Sequence, residues 1–141
     1  MSKGLLRTGT ALVLSAVLGC GGNQAPVGPL PVGLVGVTWR LTALGTTTPV
    51  LTAGGPDLTL QLSENRTNSG FSGCNRFRGT YMVNGDTLRF GPIINTRVGC
   101  AGNLTVERSY LATLGATNRF TVNADSLVLY QGPTPGLVFK H

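Results

Sequence analysis

The run Gly73-Cys74-Asn75-Arg76-Phe77-Arg78-Gly79-Thr80-Tyr81-Met82-Val83-Asn84-Gly85-Asp86-Thr87-Leu88-Arg89-Phe90 decides the fold. Its large apolar side chains recur at every second position on both sides of Asn84-Gly85, the period of a strand with one dry and one wet face. Asn-Gly between such runs signals a two-residue type I′ turn, because both central residues of that turn need positive φ. Centred there, the hairpin sets Val83 opposite Asp86, Tyr81 opposite Leu88 and Gly79 opposite Phe90. Phe77, Tyr81, Val83, Leu88 and Phe90 then share the core face. Arg78, Thr80, Met82, Thr87 and Arg89 share the outer one.

The same alternation extends outward in both directions. Trp39, Leu41 and Ala43 alternate with Arg40 and Thr42; Leu58, Leu60 and Leu62 with Thr59 and Gln61. Phe120 and Val122, then Leu127 and Leu129, then Leu137 and Phe139 continue it to the end, with a second tight turn expected at Asn123-Ala124-Asp125. One segment changes period. Leu104, Glu107, Leu111 and Leu114 recur at helical spacing, flanked by Val106 and Tyr110, with Asn103 placed to cap the start and Gly115 the end. The pattern predicts an α+β domain, mainly antiparallel β, with a curved or barrel-like sheet and one packed helix of about twelve residues.

The first residues have another purpose. Lys3 and Arg7 precede the apolar run Ala11–Leu18, and Gly19-Cys20 follows, the order of a secretory signal. That run is too short for a spanning helix, which needs roughly 20 residues. Val17-Leu18-Gly19-Cys20 resembles a lipobox, where cleavage before the cysteine exposes a thiol for lipidation. Burying acyl chains yields about 0.8 kcal/mol per methylene, so several chains on Cys20 make a lasting anchor. The chain therefore divides into a signal peptide (1–19), a lipidated Cys20 with a Pro/Gly-rich tether (20–33) and a domain (34–141). The tether holds three prolines and four glycines between positions 21 and 33. Gly21 directs a lipoprotein of a Gram-negative cell towards the outer membrane, facing the periplasm. The expected partner is the membrane through Cys20, together with an envelope protein or polymer, and the domain is expected to be a monomer.

Removal of the signal leaves nine basic residues against five acidic ones, scattered without a basic run. This gives no footprint for nucleic acid. Arg76, Arg78 and Arg89 can gather on one outer face, either as an anion-binding patch or as solubilising charge. With Cys20 assigned to lipid, Cys74 and Cys100 remain. In an oxidising compartment a disulfide is the simplest reading, closing a loop of about 26 residues and stabilising by roughly 3–4 kcal/mol. Two buried thiols, or a metal or redox pair, are the alternatives. No metal site is predicted, since zinc wants four ligands and the single histidine is the terminal His141. The same scarcity leaves no catalytic residue to name, no nucleophile–histidine pair, no paired carboxylates and no phosphate loop, so neither an enzyme nor a cofactor is expected.

The stretch Gly73–Tyr81 is similar to the Gly-Cys-Asn-x-Phe-x-Gly-x-Tyr strand of the META domain family, which includes the heat-shock lipoprotein HslJ. Gly85-Asp86-Thr87-Leu88-Arg89-Phe90, Thr96-Arg97-Val98-Gly99-Cys100, the helix from Glu107 to Leu114, and Trp39-Arg40-Leu41 follow the family's order and spacing. The resemblance spans about residues 34–141. It implies structural roles for Gly73, Asn75, Phe77, Gly79, Tyr81, Thr96, Arg97 and Glu107. Asn75 would bond local backbone at a bend, and Thr96 and Arg97 would brace the loop before Cys100. It further implies a non-enzymatic envelope or secreted protein linked to stress. A small-ligand carrier with an internal cavity, or an enzyme inhibitor using the loop Gly45–Pro56, is the alternative.

Overall fold

The structure is a computed structural model and describes residues 28–46, 55–99 and 104–141. The expected signal peptide, Cys20, most of the expected tether, Cys100 and Asn103 lie outside the described residues, as do positions 47–54 of the loop Gly45–Pro56. The strands are β1 (Thr38–Leu44), β2 (Thr59–Leu62), β3 (Thr67–Phe71), β4 (Arg76–Asn84), β5 (Thr87–Phe90) and β6 (Ile94–Asn95). The helix α1 (Leu104–Gly115) follows, then β7 (Arg119–Val122), β8 (Ser126–Gln131) and β9 (Thr134–Lys140). All pairings are antiparallel, in the order β5-β4-β3-β2-β1-β9-β8-β7, with β6 beside β4. The sheet curls without closing. Its two ends still meet, where Phe120 N donates to Asp86 O at 2.9 Å.

The alternating positions point where the pattern places them. Trp39, Tyr81, Tyr110 and Phe139 are each under 2% exposed, with Leu58, Leu60, Leu62, Leu88, Leu127 and Leu129 beside them. These side chains pack between the sheet and α1 as one apolar cluster. Trp39 also donates its indole N–H to Leu34 O at 3.1 Å, which gives the buried ring its partner. Residues 28–33, expected as free tether, lie against the domain. Leu30 packs on the core and Gly28 O accepts from Arg66 Nη2 at 2.6 Å.

The first hairpin differs from the expected register. Its pairs are Asn84–Thr87, Val83–Leu88, Met82–Arg89 and Tyr81–Phe90, so the turn is Gly85-Asp86 and not Asn84-Gly85. Only Gly85 carries positive φ there, at 58°, the requirement of a type II′ turn. The expected register would have put Asp86 beside buried Val83 on the core face, and an unpaired buried carboxylate is costly. The slip moves each strand by one residue in opposite senses, so every side chain keeps its face. The turn at Asn123 forms as expected. Asn123 Oδ1 accepts from the backbone N–H of Asp125 (3.0 Å) and Ser126 (2.8 Å).

The helix has the expected length of 12 residues but a different centre to its buried stripe. Glu107, Tyr110 and Leu114 are buried, whereas Leu104 is exposed and Leu111 only half-buried. Tyr110 sets this rotation. Its ring meets Phe77 and Phe139 edge-on, and its hydroxyl donates to Thr59 O at 3.0 Å. Gly115 is not a left-handed cap. It has no positive φ, and Thr117 Oγ1 closes the helix end by donating to Thr113 O at 3.2 Å. A Cβ on Gly115 meets nothing within 4 Å. Gly115→Ala is therefore expected to raise stability by about 0.5–1 kcal/mol, through reduced freedom of the unfolded chain. A urea titration that moves its midpoint downward would contradict this.

Candidate functional site

The residues of the motif run converge on one buried carboxylate. Glu107 is 5% exposed, and α1 aims it at the bend between β3 and β4. Its Oε2 accepts from Asn75 N (3.0 Å) and lies 2.9 Å from Ser72 Oγ. Its Oε1 accepts from Asn75 Nδ2 (3.1 Å) and Asn95 Nδ2 (3.3 Å). Ser72 Oγ also lies 2.8 Å from Asn75 O, but it has a single proton, and the charged acceptor forms the stronger bond.

Asn75, at 3% exposure, joins this carboxylate to the loop before α1. Its Oδ1 accepts from Val98 N (2.7 Å) and Thr96 Oγ1 (3.0 Å). Thr96 thus ties this loop to Asn75. Arg97 is exposed. Asn75 departs from expectation. Its side chain bonds groups 21 to 32 positions away instead of its own bend. Ser72 and Asn95 were not expected in the cluster. The available signal was Glu107 itself, since a carboxylate on a helix's apolar stripe requires donors from whatever packs against it.

The remaining motif residues shape the walls. Gly73 has φ of 99°, which favours glycine. Gly79 lies under Pro92, whose carbonyl oxygen would stand 2.8 Å from an added Cβ. Phe77 is in the core beside Tyr110. Tyr81 is buried with its hydroxyl donating to Ser63 O at 2.8 Å. Burial raises the Tyr81 phenol above its usual range, partly offset by nearby Arg66, and burial alone raises Tyr110 much further. Both hydroxyls thus remain neutral donors through the physiological range.

Cys74 is disulfide-bonded, and its sulfur lies 3.3 Å from Val98 O. Arg76, Arg78 and Arg89 are all exposed on the outer face of β4 and β5, away from Glu107. The terminal His141 stacks edge-on against Trp39 and contacts Ala124 O. Among the described residues no three His, Cys, Asp or Glu side chains gather as metal ligands. The cluster around Glu107 can lock the β3–β4 bend, β6 and α1 together. Both carboxylate oxygens of Glu107 and the side-chain amide of Asn75 are met inside it, and Asn75, Asn95, Thr96 and Glu107 also border an open pocket beside Arg97 and Arg108.

Among curated proteins none matches the chain. Three solved structures share the fold. One is an NMR structure of a protein from Burkholderia xenovorans, 34% identical, with a TM-score of 0.60 over 76% of this chain and 82% of that one. A second NMR structure is 23% identical, with a TM-score of 0.57 over 73% and 86%. The third is a crystal structure of a DUF4847 family protein from Bacteroides vulgatus ATCC 8482, 15% identical, with a TM-score of 0.56 over 77% and 94%. The META domain model matches residues 32–141, which include Glu107 and all its hydrogen-bond partners, and the chain belongs to the META domain family.

Proposed function

We propose that this chain is a lipid-anchored envelope protein without catalytic activity, acting through its surface on an envelope protein or polymer. The observation that carries this reading is the mutual bonding of the motif cluster. Glu107, Asn75, Ser72 and Thr96 bond one another and the adjoining backbone, so the most distinctive residues of the chain support its architecture. The packed apolar cluster weighs against a carrier of small apolar ligands, which would need that volume. The lipobox-like Val17-Leu18-Gly19-Cys20 supports the anchor.

Mass spectrometry of the full chain expressed in a bacterium tests the anchor. The expected N-terminal peptide begins at Cys20 and carries diacylglycerol; an unmodified Cys20 would sink the reading. The unreduced digest should also contain Cys74 linked to Cys100, released by reductant. In-cell cross-linking should capture an envelope component, and capture of nothing above background would count against a surface role.

A further inference from the structure

The outer face of β3–β6 has an unusual make-up. Arg76, Arg78, Thr80 and Met82 alternate outward along β4, all exposed. Ile94 on β6 pairs with Arg78, and Arg89 on β5 pairs with Met82, which brings both onto the same face. Met82 and Ile94 are 63% and 64% exposed. No acid among the described residues pairs with these arginines. Asp57 pairs with Arg40 at 2.7 Å, Glu107 is buried, and Glu64, Asp86 and Asp125 sit in turns. Among the described residues Arg40–Asp57 is the one ion pair, so Arg76, Arg78 and Arg89 present uncompensated charge around exposed methyl and thioether groups.

The chain's course places this face near the anchor. Gly28 lies against the β4–β5 turn, where a Cβ on it would be 3.5 Å from Asn84 Cα. Eight residue steps lead from Cys20 to Gly28, a span of at most about 29 Å even when fully extended. Met82 and Arg89 are two residues from Asn84 and Thr87, the pair that flanks the turn. A bilayer holding Cys20 is thus within reach of the basic and apolar face.

We infer that this face docks on an anionic phospholipid surface, with Arg76, Arg78 and Arg89 at the headgroup phosphates and Met82 and Ile94 entering the interface. The inference rests on the anchor proposed above. A lipid chain and a basic patch together form a two-signal attachment, the second of which orients the domain. Phosphate binds guanidinium in a bidentate fork, which accounts for arginine at all three positions.

The test uses the mature lipoprotein in vesicles, with an environment-sensitive fluorophore on Met82→Cys, or on Thr42→Cys across the sheet as control. In vesicles containing phosphatidylglycerol, emission from position 82 should shift to shorter wavelength. The shift should be absent in pure phosphatidylcholine and at position 42, and should reverse at 1 M salt. Replacing Arg76, Arg78 and Arg89 together by glutamine should weaken docking by about a hundredfold, from roughly fivefold per arginine, and abolish the shift. An unchanged position 82 in protein whose Cys20 carries its lipid overturns the docking and leaves the anchor standing, as does a shift that persists in phosphatidylcholine or in the triple variant. An unmodified Cys20 defeats the anchor instead. The face is then decided by the same label in the Cys20→Ser chain mixed with the vesicles, where a shift on the anionic ones supports docking and none overturns it.

Discussion

Replacing Glu107 by alanine is expected to lower the stability of the domain by about 4 kcal/mol. Natural domains have about 5–15 kcal/mol in total, so much of the population would unfold on mild warming. The loss comes from three sources. Ser72, Asn75 and Asn95 each lose a charged acceptor, and hydrogen bonds to charged groups contribute about 1.5–3 kcal/mol apiece. Asn75 N and Nδ2 are left buried without a partner. The loop held through Asn75 Oδ1 then loses its brace, because the asparagine is no longer fixed from the other side. Glu107→Gln should be less severe, at about 2 kcal/mol, since the amide keeps one oxygen as acceptor and only its nitrogen would face the donors of the cluster. Urea denaturation of the two variants checks both values. A midpoint for Glu107→Ala within error of the unsubstituted protein would show that the cluster is incidental.

The second large effect is expected at Gly70, in the middle of β3. A Cβ there would stand 2.0 Å from Thr59 O and 2.7 Å from the Cζ of Phe77. Real Cβ atoms do not approach a carbonyl oxygen so closely, and neither neighbour can easily retreat. Thr59 O accepts from Tyr110 OH, and Phe77 lies cross-strand from Gly70 and packs on Tyr110. Gly70→Ala must therefore push β2 away from β3 or displace the aromatic cluster under α1. Overpacking of this kind costs about 1–3 kcal/mol where side chains can adjust. Here backbone must move, and we expect about 3 kcal/mol or more. Thermal unfolding against Gly115→Ala, where the space is open, gives the comparison. Equal melting temperatures for the two variants would refute the close-approach argument.

These two positions show how differently the chain displays its own structure. The alternation through Trp39, Leu60, Tyr81, Phe120, Leu129 and Phe139 was legible because the strand period is two, and each of those side chains is buried. The helix was legible through its change of period. Its rotation was not, because Leu104 and Tyr110 compete for the centre of the stripe, and only the fit of Tyr110 against Phe77 and Phe139 decides between them. The register at Asn84-Gly85 failed for a related reason. The local preference of Asn-Gly for a type I′ turn was opposed by the cost of setting Asp86 against Val83. The role of Gly70 had no local signature, since Thr59 and Phe77 reach it from two other strands. The cluster around Glu107 was half visible. Glu107, Asn75 and Thr96 could be named from the motif, but Ser72 and Asn95 could not, and the mutual bonding depends on how α1 meets the β3–β4 bend.

The order of the strands has a consequence for how the chain reaches its folded state. β1 and β9 pair in the middle of the sheet, with Arg40 opposite Lys140 and Leu41 opposite Phe139. The two arms of the sheet, β2 to β5 on one side and β7 to β8 on the other, are joined through that seam. The seam brings together segments almost a hundred positions apart in the chain, so its loop-closure entropy is met late and folding should be slow for a domain this small. A growing chain lacks the central seam until its last strand emerges. On the proposed export route this timing would be useful: the nascent chain would stay without a finished sheet while still being threaded, and the domain would be completed on the far side of the membrane.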